Sequence, residues 1–137
     1  MTDRIRVGSA VLVESDGRVL LGQRGKEPNR GAWVIPGGGV HLFEHVSDAA
    51  IREIKEETGL DISSPCPVLV REIISAPDEH RLIVYSRTDY AGVADPVASS
   101  DLLDVKFFTR VELEGIRPQI SPIVRDVLQE TGWLSQP

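Results

Sequence analysis

The feature that most constrains the fold is a run of glycines followed by a strongly patterned segment, residues 38–60 (GGVHLFEHVSDAAIREIKEETGL). Its second half predicts a helix over residues 47–58, because apolar side chains recur there at helical spacing. Ser47 or Asp48 is predicted to cap the start of this helix. Gly59 stands where a helix C-terminus often needs a left-handed residue. We therefore expect a glycine-rich loop that leads into a short amphipathic helix.

The predicted helix separates acidic and apolar side chains onto different faces. Glu53, Glu56 and Glu57 share one face, since residues three and four apart are neighbours on a helix. The apolar face, which would pack against a core, consists of Ala50, Ile51 and Ile54. Clustered like charges destabilise an isolated helix. Two explanations are open: a solvated acidic face paired with Lys55 and nearby arginines, or a site for a hard divalent cation such as Mg2+, which binds through carboxylate oxygens.

The surroundings of the helix favour the cation site. Arg52 precedes Glu53 by one residue and Glu56 by four, so its guanidinium can pair with a carboxylate and hold it in place. The glycines at positions 37–39 let the backbone approach a metal ion or a phosphate closely. Glu44 lies between these glycines and the helix and can reach the same centre from the loop. A solvated acidic face needs none of these companions.

This combination of residues resembles the Nudix box. That motif is a glycine, five residues, a glutamate, seven residues and then R-E-U-x-E-E-x-G-U, where U is aliphatic. The matching residues are Gly38, Glu44, Arg52, Glu53, Ile54, Glu56, Glu57, Gly59 and Leu60. Every specified position is filled, which makes the match far more specific than a lone glycine-rich loop. The flanking segments VLLGQR, AWVIPGG and KFFTRVEL are also similar to Nudix sequences.

The resemblance implies a fold and a reaction. The fold class would be α/β, as an α/β/α sandwich with a mixed β-sheet, and residues 1–137 would form a single Nudix hydrolase domain. The reaction would be hydrolysis of the diphosphate linkage of a nucleotide derivative, with Mg2+, or Mn2+ in its place, bound at the box. The implied substrates are a (deoxy)nucleoside triphosphate, or ADP-ribose and similar nucleoside diphosphate sugars. Dinucleoside polyphosphates are a third class.

The resemblance also implies roles for individual residues. The implied metal ligands are Glu53, Glu56, Glu57 and the carbonyl of Gly38. Glu53 would also be the candidate general base, although family members differ on which glutamate takes the proton. Arg52 would orient the catalytic carboxylates, and Glu44 would be an auxiliary ligand or base. The alternative is a non-catalytic Nudix domain that binds a nucleotide as a sensor, although such domains tend to lose the box glutamates that this chain keeps.

Two loop positions depart from the pattern common in relatives. His41 stands where a glutamate is common, and Phe43 stands where a glycine is common. Loss of a carboxylate at position 41 would weaken one metal site or alter substrate contacts. The alternative for His41 is a loop histidine satisfied by backbone groups.

Substrate choice is expected to depend on residues outside the box. Arg6 and Arg24 are predicted to meet substrate phosphates, with surface solvation as the alternative. Trp33 is predicted to stack on a base, with a place in the core as the alternative, and Phe43 is a second stacking candidate. Two candidates for a further acidic metal ligand lie in a late loop, Asp95 and Asp101.

The remaining sequence predicts a mixed sheet and one further helix. Asp16-Gly17 separates two β-rich runs and predicts a hairpin turn. The PGGG segment is predicted to interrupt regular structure. Three more runs predict strands, namely PVLVREIIS, HRLIVYSRTDY and LLDVKFFT. The segment SPIVRDVLQETG predicts a helix, with Pro122 just inside its start and Gly132 just past its end.

Composition and charge narrow the partners and the setting. The formal net charge of −6 argues against binding of nucleic acid polymers and leaves a small nucleotide as the expected partner. The N-terminus lacks the features of a signal peptide, and no apolar run reaches the roughly 20 residues of a membrane helix. The single cysteine, Cys66, is predicted to be a buried or partly buried free thiol. These features predict a cytoplasmic protein without membrane contact, and homodimers are frequent in the family that it resembles.

Overall fold

A computed structural model describes residues 4–75 and 77–137 as a mixed β-sheet with helices on both faces. The strands are β1 Arg6–Ser15, β2 Arg18–Arg24, β3 Trp33–Val34, β4 Gly37–Gly39, β5 Cys66–Ser75, β6 Glu79–Asp89 and β7 Leu102–Thr109. The helices are α1 Val46–Thr58, α2 Arg110–Gly115 and α3 Pro122–Glu130, with a 3-10 turn at Arg117–Gln119. The predicted α/β sandwich with a mixed sheet is confirmed.

Strand β1 is the centre of the sheet. It runs parallel to β6, with register from Arg6↔Arg81 to Glu14↔Asp89, and β5 follows antiparallel to β6 at the edge. The other side of β1 is shared, because β4 pairs with its first half and β2 with its last residues. Strands β3 and β7 in turn pair with β2. This arrangement brings the glycine strand β4 next to the middle of the sheet.

Alternation of side chains along the central strands builds two cores. Val11 and Val13 of β1 point to the α1 side, where they pack with Ala50 and Ile54. Leu12 points to the opposite side and joins the cluster that includes residues of α2 and α3. Because successive side chains of a strand face opposite sides, one strand serves both layers. Helix α1 is thereby held on one face of the sheet and α3 on the other.

The predicted hairpin between β1 and β2 is confirmed. Asp16 and Gly17 have φ values of 50° and 71°, and Ser15 pairs with Arg18 across the turn. Positive φ at both central residues is the geometry whose twist matches that of the flanking strands. The predicted strands in PVLVREIIS and HRLIVYSRTDY also form, as the antiparallel pair β5 and β6. Ala76, which lies between these two runs in the sequence, is outside the described residues.

The prediction that PGGG interrupts regular structure is wrong. Residues Gly37–Gly39 form strand β4, in register with Gly8–Ala10 of β1. A Cβ built on Gly37 would lie 2.2 Å from the carbonyl oxygen of Ser9. Glycine is therefore what permits this close backbone approach, which the sequence pattern alone does not reveal.

Helix α1 agrees with the prediction at its end and differs at its start. Gly59 adopts φ 76° and its N–H bonds to the Lys55 carbonyl, as expected of a C-terminal glycine. The N-cap is His45, without a side-chain capping hydrogen bond, so neither Ser47 nor Asp48 caps the helix. Both lie inside the first turn, where the Asp48 carboxylate favourably faces the positive end of the helix dipole.

Two further features differ from expectation. Helix α2 was not predicted, although Thr109 and Glu112 form a capping box that the T-x-x-E pattern signals. Cys66 is a free thiol but is exposed rather than buried, because it begins the edge strand β5. The last helix follows its prediction, with Pro122 in its first turn and Gly132 beyond its end at φ 87°.

Within residues 4–75 and 77–137, none of the helices combines the length and the apolar character needed to cross a bilayer.

Candidate active site

The acidic face of α1 lies directly against strand β4. The backbone N–H of Gly37 donates a 2.9 Å hydrogen bond to Oε1 of Glu57. A Cβ built on Gly38 would lie 2.4 Å from the carboxyl carbon of Glu53. Any side chain at position 38 would therefore displace the Glu53 carboxylate. The glycine strand and the acidic helix form one unit, which is why glycines precede the helix at this spacing.

Arg52 joins the loop after β4 to the acidic face. Its Nε donates to Oε2 of Glu44 at 2.8 Å, and its Nη2 donates to Oε1 of the same residue at 2.9 Å. Its Nη1 donates to Oε1 of Glu53 at 2.7 Å, and its Nη2 also reaches the Gly39 carbonyl at 2.9 Å. The planar guanidinium supplies these donors in a fixed geometry. One side chain therefore fixes two carboxylates relative to the glycine strand.

Glu44 is held in its ionised form. The hydrogen bonds from Arg52 and from the backbone N–H of His41 lower its pKa to about 2. The His41 N–H lies 3.0 Å from Oε1 of Glu44, and the His41 side chain is exposed to solvent. Because this pKa lies far below 7, Glu44 is charged at neutral pH, where it forms an ion pair with Arg52.

Glu57 is in the opposite electrostatic situation. Burial raises its pKa to about 7, and the nearby charge of Glu53 acts in the same direction, while the hydrogen bond from Gly37 opposes the shift. Glu56 is more exposed, with 56% of its side chain accessible, and its Oε2 lies 3.5 Å from Nη1 of Arg52. The acidic face therefore holds more negative charge than its protein partners neutralise.

This donor set fits a hard divalent cation. The available groups are carboxylate oxygens and backbone carbonyls, which are the ligands that Mg2+ and Mn2+ prefer. In the described part of the chain, no three histidine, cysteine, aspartate or glutamate side chains form a ready metal-binding group. Mg2+ commonly uses only one or two carboxylates and keeps water and substrate phosphates as its other ligands. The raised pKa of Glu57 is the effect that a bound cation would relieve.

The late loop brings one of its two candidate aspartates to this face. The N–H groups of Val97 and Ser99 donate to the carbonyls of Thr58 and Glu57, which docks the loop on the end of α1. The charge of Asp101 contributes to the raised pKa of Glu57, and its Oδ2 lies 2.9 Å from Nζ of Lys26.

Asp95, the other candidate, belongs to a different region. It lines a cleft together with Asp16 and Lys106, at the end of the sheet formed by the β1–β2 turn. Of the two late aspartates, Asp101 is thus the one whose charge acts on the acidic face.

The predicted substrate-binding residues have contacts of their own. Arg24 donates through Nε to the Pro28 carbonyl at 2.7 Å. Trp33 packs edge-on against Phe108, with ring centroids 4.9 Å apart. Arg6 is exposed at the start of β1. Their predicted contacts with substrate remain predictions.

Two contacts of the site were not anticipated. Arg52 uses the Gly39 carbonyl as an acceptor, and Lys26 pairs with Asp101. The third glycine of the GGG run was a signal for the first contact. The second joins residues far apart in the chain, and no local pattern indicates it.

Comparisons with known proteins show which proteins this chain is similar to. The chain is 30% identical over 122 residues to a protein of Methanocaldococcus jannaschii named ADP-ribose pyrophosphatase, covering 86% of this chain and 70% of that protein. A crystal structure of a MutT NUDIX hydrolase from Burkholderia pseudomallei is 29% identical, with a TM-score of 0.81 and coverage of 93% of this chain and 98% of that one. The chain spans less than half the length of several other curated relatives that it matches.

A second similar structure adds information about the fold. It is a bifunctional NMN adenylyltransferase/ADP ribose pyrophosphatase from Francisella tularensis, in complex with AMP and a Mn ion. It is 21% identical, with a TM-score of 0.78, and the match covers 93% of this chain and 42% of that one.

The fold and these comparisons together identify a hydrolase of the pyrophosphatase class, which acts on phosphoric anhydrides. The family model described as NUDIX domain matches residues 3–131, so the chain belongs to the Nudix family.

Proposed function

We propose that the protein is a Mg2+-dependent Nudix pyrophosphohydrolase, with Mn2+ as a substitute, that cleaves the diphosphate linkage of a small nucleotide derivative. The observation that carries the proposal is the geometry around Glu53. Its carboxylate accepts a hydrogen bond from Arg52 and lies directly against Gly38. Its charge also contributes to the raised pKa of Glu57. A solvated acidic surface would need neither the buried carboxyl group of Glu57 nor the hydrogen bonds from Arg52 to Glu44 and Glu53.

Charge explains why a cation is part of the proposal. The acidic face repels the phosphates of a nucleotide, so substrate can approach it only with its negative charge compensated. Glu53, Glu56, Glu57 and the Gly38 carbonyl are the proposed ligands. When bound, a divalent ion supplies charge neutralisation on phosphate oxygens and a more acidic water.

The protein's own residues supply geometry and a proton acceptor. Glu53 is the proposed general base, because its position is fixed by the 2.7 Å bond from Arg52. Glu44 would keep Arg52 in place, since its low pKa leaves it charged whenever the enzyme works. A base held in one orientation next to the reacting water lowers the entropy cost of proton transfer.

Two substrate classes are proposed for the diphosphate. ADP-ribose and related nucleoside diphosphate sugars are supported by the name of the M. jannaschii relative, which is matched over 70% of its length. A (deoxy)nucleoside triphosphate is the other class. Both contain the same anhydride linkage, so the chemistry at Glu53 would be the same for each.

The test is hydrolysis of a panel that contains nucleoside triphosphates, ADP-ribose, nucleotide sugars and dinucleoside polyphosphates. Each substrate is assayed with Mg2+, with Mn2+ and with excess chelator. We expect turnover of one group that chelator abolishes and added Mg2+ restores. Turnover that persists in chelator would overturn the metal dependence. A folded protein that binds nucleotide with Mg2+ but hydrolyses nothing would instead support the non-catalytic sensor.

A further inference from the structure

Phe43 is the one aromatic residue of the chain whose side chain is almost fully exposed to solvent. All seven aromatic residues lie within the described part of the chain, and six of them are packed. Trp33 contacts Phe108 and Tyr90 stacks on Phe107, while Tyr85 and Trp133 are each 3% exposed. Phe43 is 97% exposed, and Leu42 before it is 84% exposed. Phe43 therefore contributes almost nothing to the burial that stabilises the fold.

The backbone at Phe43 is also strained. Its φ is 67°, in the left-handed region. The other non-glycine residues with positive φ in the described chain are Asp16, Asn29, Ser64 and Ser100. Those are small polar residues, of which Asn and Asp tolerate this conformation, whereas a bulky side chain there is a genuine outlier. Phe43 thus combines an unfavourable backbone with an unfavourable exposure.

Hydrogen bonds hold the strained turn in place. The N–H of Glu44 donates to the His41 carbonyl at 3.0 Å, which closes a turn with Phe43 as its third residue, a place where positive φ normally calls for glycine. The Glu44 carboxylate accepts from the His41 N–H at 3.0 Å and from Arg52. The turn therefore cannot relax without disturbing the Arg52–Glu44 pair. Strain that the surrounding structure enforces at a functional site is commonly part of the function.

We infer that Phe43 is a specificity-determining residue whose ring stacks on the nucleobase of the substrate. The inference rests on the proposed function and extends it to the base. A nucleobase offers a flat π face, and stacking on an aromatic side chain recognises that face without hydrogen bonds.

The place of Phe43 in the chain, next to Glu44, favours a nucleobase as its partner. Phe43 directly precedes Glu44 in the chain, and Arg52 connects Glu44 to Glu53 of the acidic face. A nucleotide whose diphosphate lies on that face carries its base a short way beyond. A nucleobase is thus the partner that the neighbouring acidic face favours.

The test compares binding of ligands with and without a base. Dissociation constants in Mg2+ are measured for ADP, GDP, CDP and UDP, and for inorganic pyrophosphate, which lacks a base. Phe43→Asn removes the ring and keeps a residue that tolerates positive φ. We expect it to weaken binding of the preferred nucleoside diphosphate roughly five- to 150-fold, the usual range for loss of one base–aromatic stack. Pyrophosphate binding should be unchanged, and the melting temperature should not fall.

Two further variants make the test specific. Phe43→Trp should retain nucleotide binding, and the fluorescence of the added indole should be quenched by the nucleoside diphosphate but not by pyrophosphate. Val111→Ala removes another exposed apolar side chain, 82% exposed on α2, and should change neither affinity. In the active enzyme, Phe43→Asn should raise KM and leave kcat unchanged.

The inference is overturned if Phe43→Asn binds every nucleoside diphosphate as the parent does, or if pyrophosphate binding weakens equally. It is also overturned if the parent binds pyrophosphate but none of the four nucleotides. These outcomes are separate from the hydrolysis panel. A protein that hydrolyses nothing but loses nucleotide affinity on Phe43→Asn would overturn the enzymatic proposal and support the base contact.

Discussion

Arg52 and Glu44 form a bidentate ion pair that ties the loop after β4 to helix α1, with N···O distances of 2.8 and 2.9 Å. The same guanidinium donates to Glu53 at 2.7 Å. The orientation of the proposed base therefore depends on a loop residue that precedes the helix. This relationship makes Arg52 a positioning residue, and it predicts that changes at positions 44 and 52 are coupled.

The first prediction concerns the hydrogen bonds that the Arg52 guanidinium donates to Glu44 and Glu53. Arg52→Lys keeps the positive charge but cannot bond two carboxylates in the same fixed geometry. We expect kcat to fall roughly 100-fold, the loss typical of a misplaced catalytic group, with a smaller change in KM. Glu44→Gln should add little in the Arg52→Lys background, because both act through one contact. Steady-state kinetics of the single and double variants measures this.

A matched control is Arg71→Lys. Arg71 also bonds two carboxylates, those of Asp126 and Glu130, at 2.9 and 2.8 Å, but on the opposite layer of the fold. Its replacement should leave kcat within about twofold of the parent value, since surface ion pairs contribute little. Independent, additive effects of Arg52→Lys and Glu44→Gln would contradict the coupling.

The second prediction concerns Glu53 itself. Glu53→Gln preserves the shape of the side chain but removes its charge and its ability to accept a proton. Loss of a general base typically costs roughly 100- to 10,000-fold, so we expect kcat to fall by that factor while circular dichroism stays unchanged. Glu72→Gln, which alters the exposed pair with His80, is the control and should retain full turnover. Unchanged hydrolysis in Glu53→Gln would remove this residue from the mechanism.

The third prediction uses adjacent glycines. Gly38→Ala would place a methyl group 2.4 Å from the Glu53 carboxyl carbon, so that carboxylate must move. We expect a loss of activity of at least about tenfold with little loss of stability, because the displaced group is the end of a flexible side chain. Gly39→Ala meets no atom within 4 Å and is the matched control, with near-parental activity.

Gly37→Ala should behave differently from both. Its methyl group would lie 2.2 Å from the Ser9 carbonyl oxygen, so the pairing of β4 with β1 must open. Thermal unfolding should show a lower melting temperature for this variant than for Gly38→Ala. Equal activity in the Gly38→Ala and Gly39→Ala proteins would contradict the proposal that the Glu53 carboxylate must lie directly against Gly38.

The fourth prediction concerns the pH dependence of stability without metal. The pKa of Glu57 rises from 4.5 to about 7 on folding, mainly through burial. The folded state therefore binds more protons than the unfolded state between these values, and its stability falls as pH rises through them. The expected loss is up to about 3 kcal/mol. Glu57→Gln should remove this loss, which denaturant unfolding in chelator at pH 4.5 and pH 8 measures.

Added Mg2+ should offset this loss of stability in the wild-type protein. At pH 8 the ionised Glu57 is destabilising alone and attractive to a cation, so added Mg2+ should raise the melting temperature of the parent more than that of Glu57→Gln. The increase should be smaller at pH 5, where the carboxyl is largely protonated. An equal Mg2+ effect in both proteins at pH 8 would argue that Glu57 is not a ligand.

Local pattern determined much of this protein. The acidic face, the left-handed Gly59, the Asp16-Gly17 hairpin and the alternating strands follow from spacing and from the few residues that tolerate special backbone conformations. These features depend on neighbours within a few positions of the chain, which is why periodicity and turn chemistry predict them.

Tertiary structure decided the remaining features. The glycine strand β4 exists because β1 offers its edge to Gly37–Gly39. Trp33 packs on Phe108 while Phe43 is left bare, and Asp101 rather than Asp95 acts on the acidic face. Each outcome depends on a contact between residues distant in sequence, whose free energy is set by the close packing of the whole sheet. No local spacing carries that information, and only the folded chain decides which candidates meet.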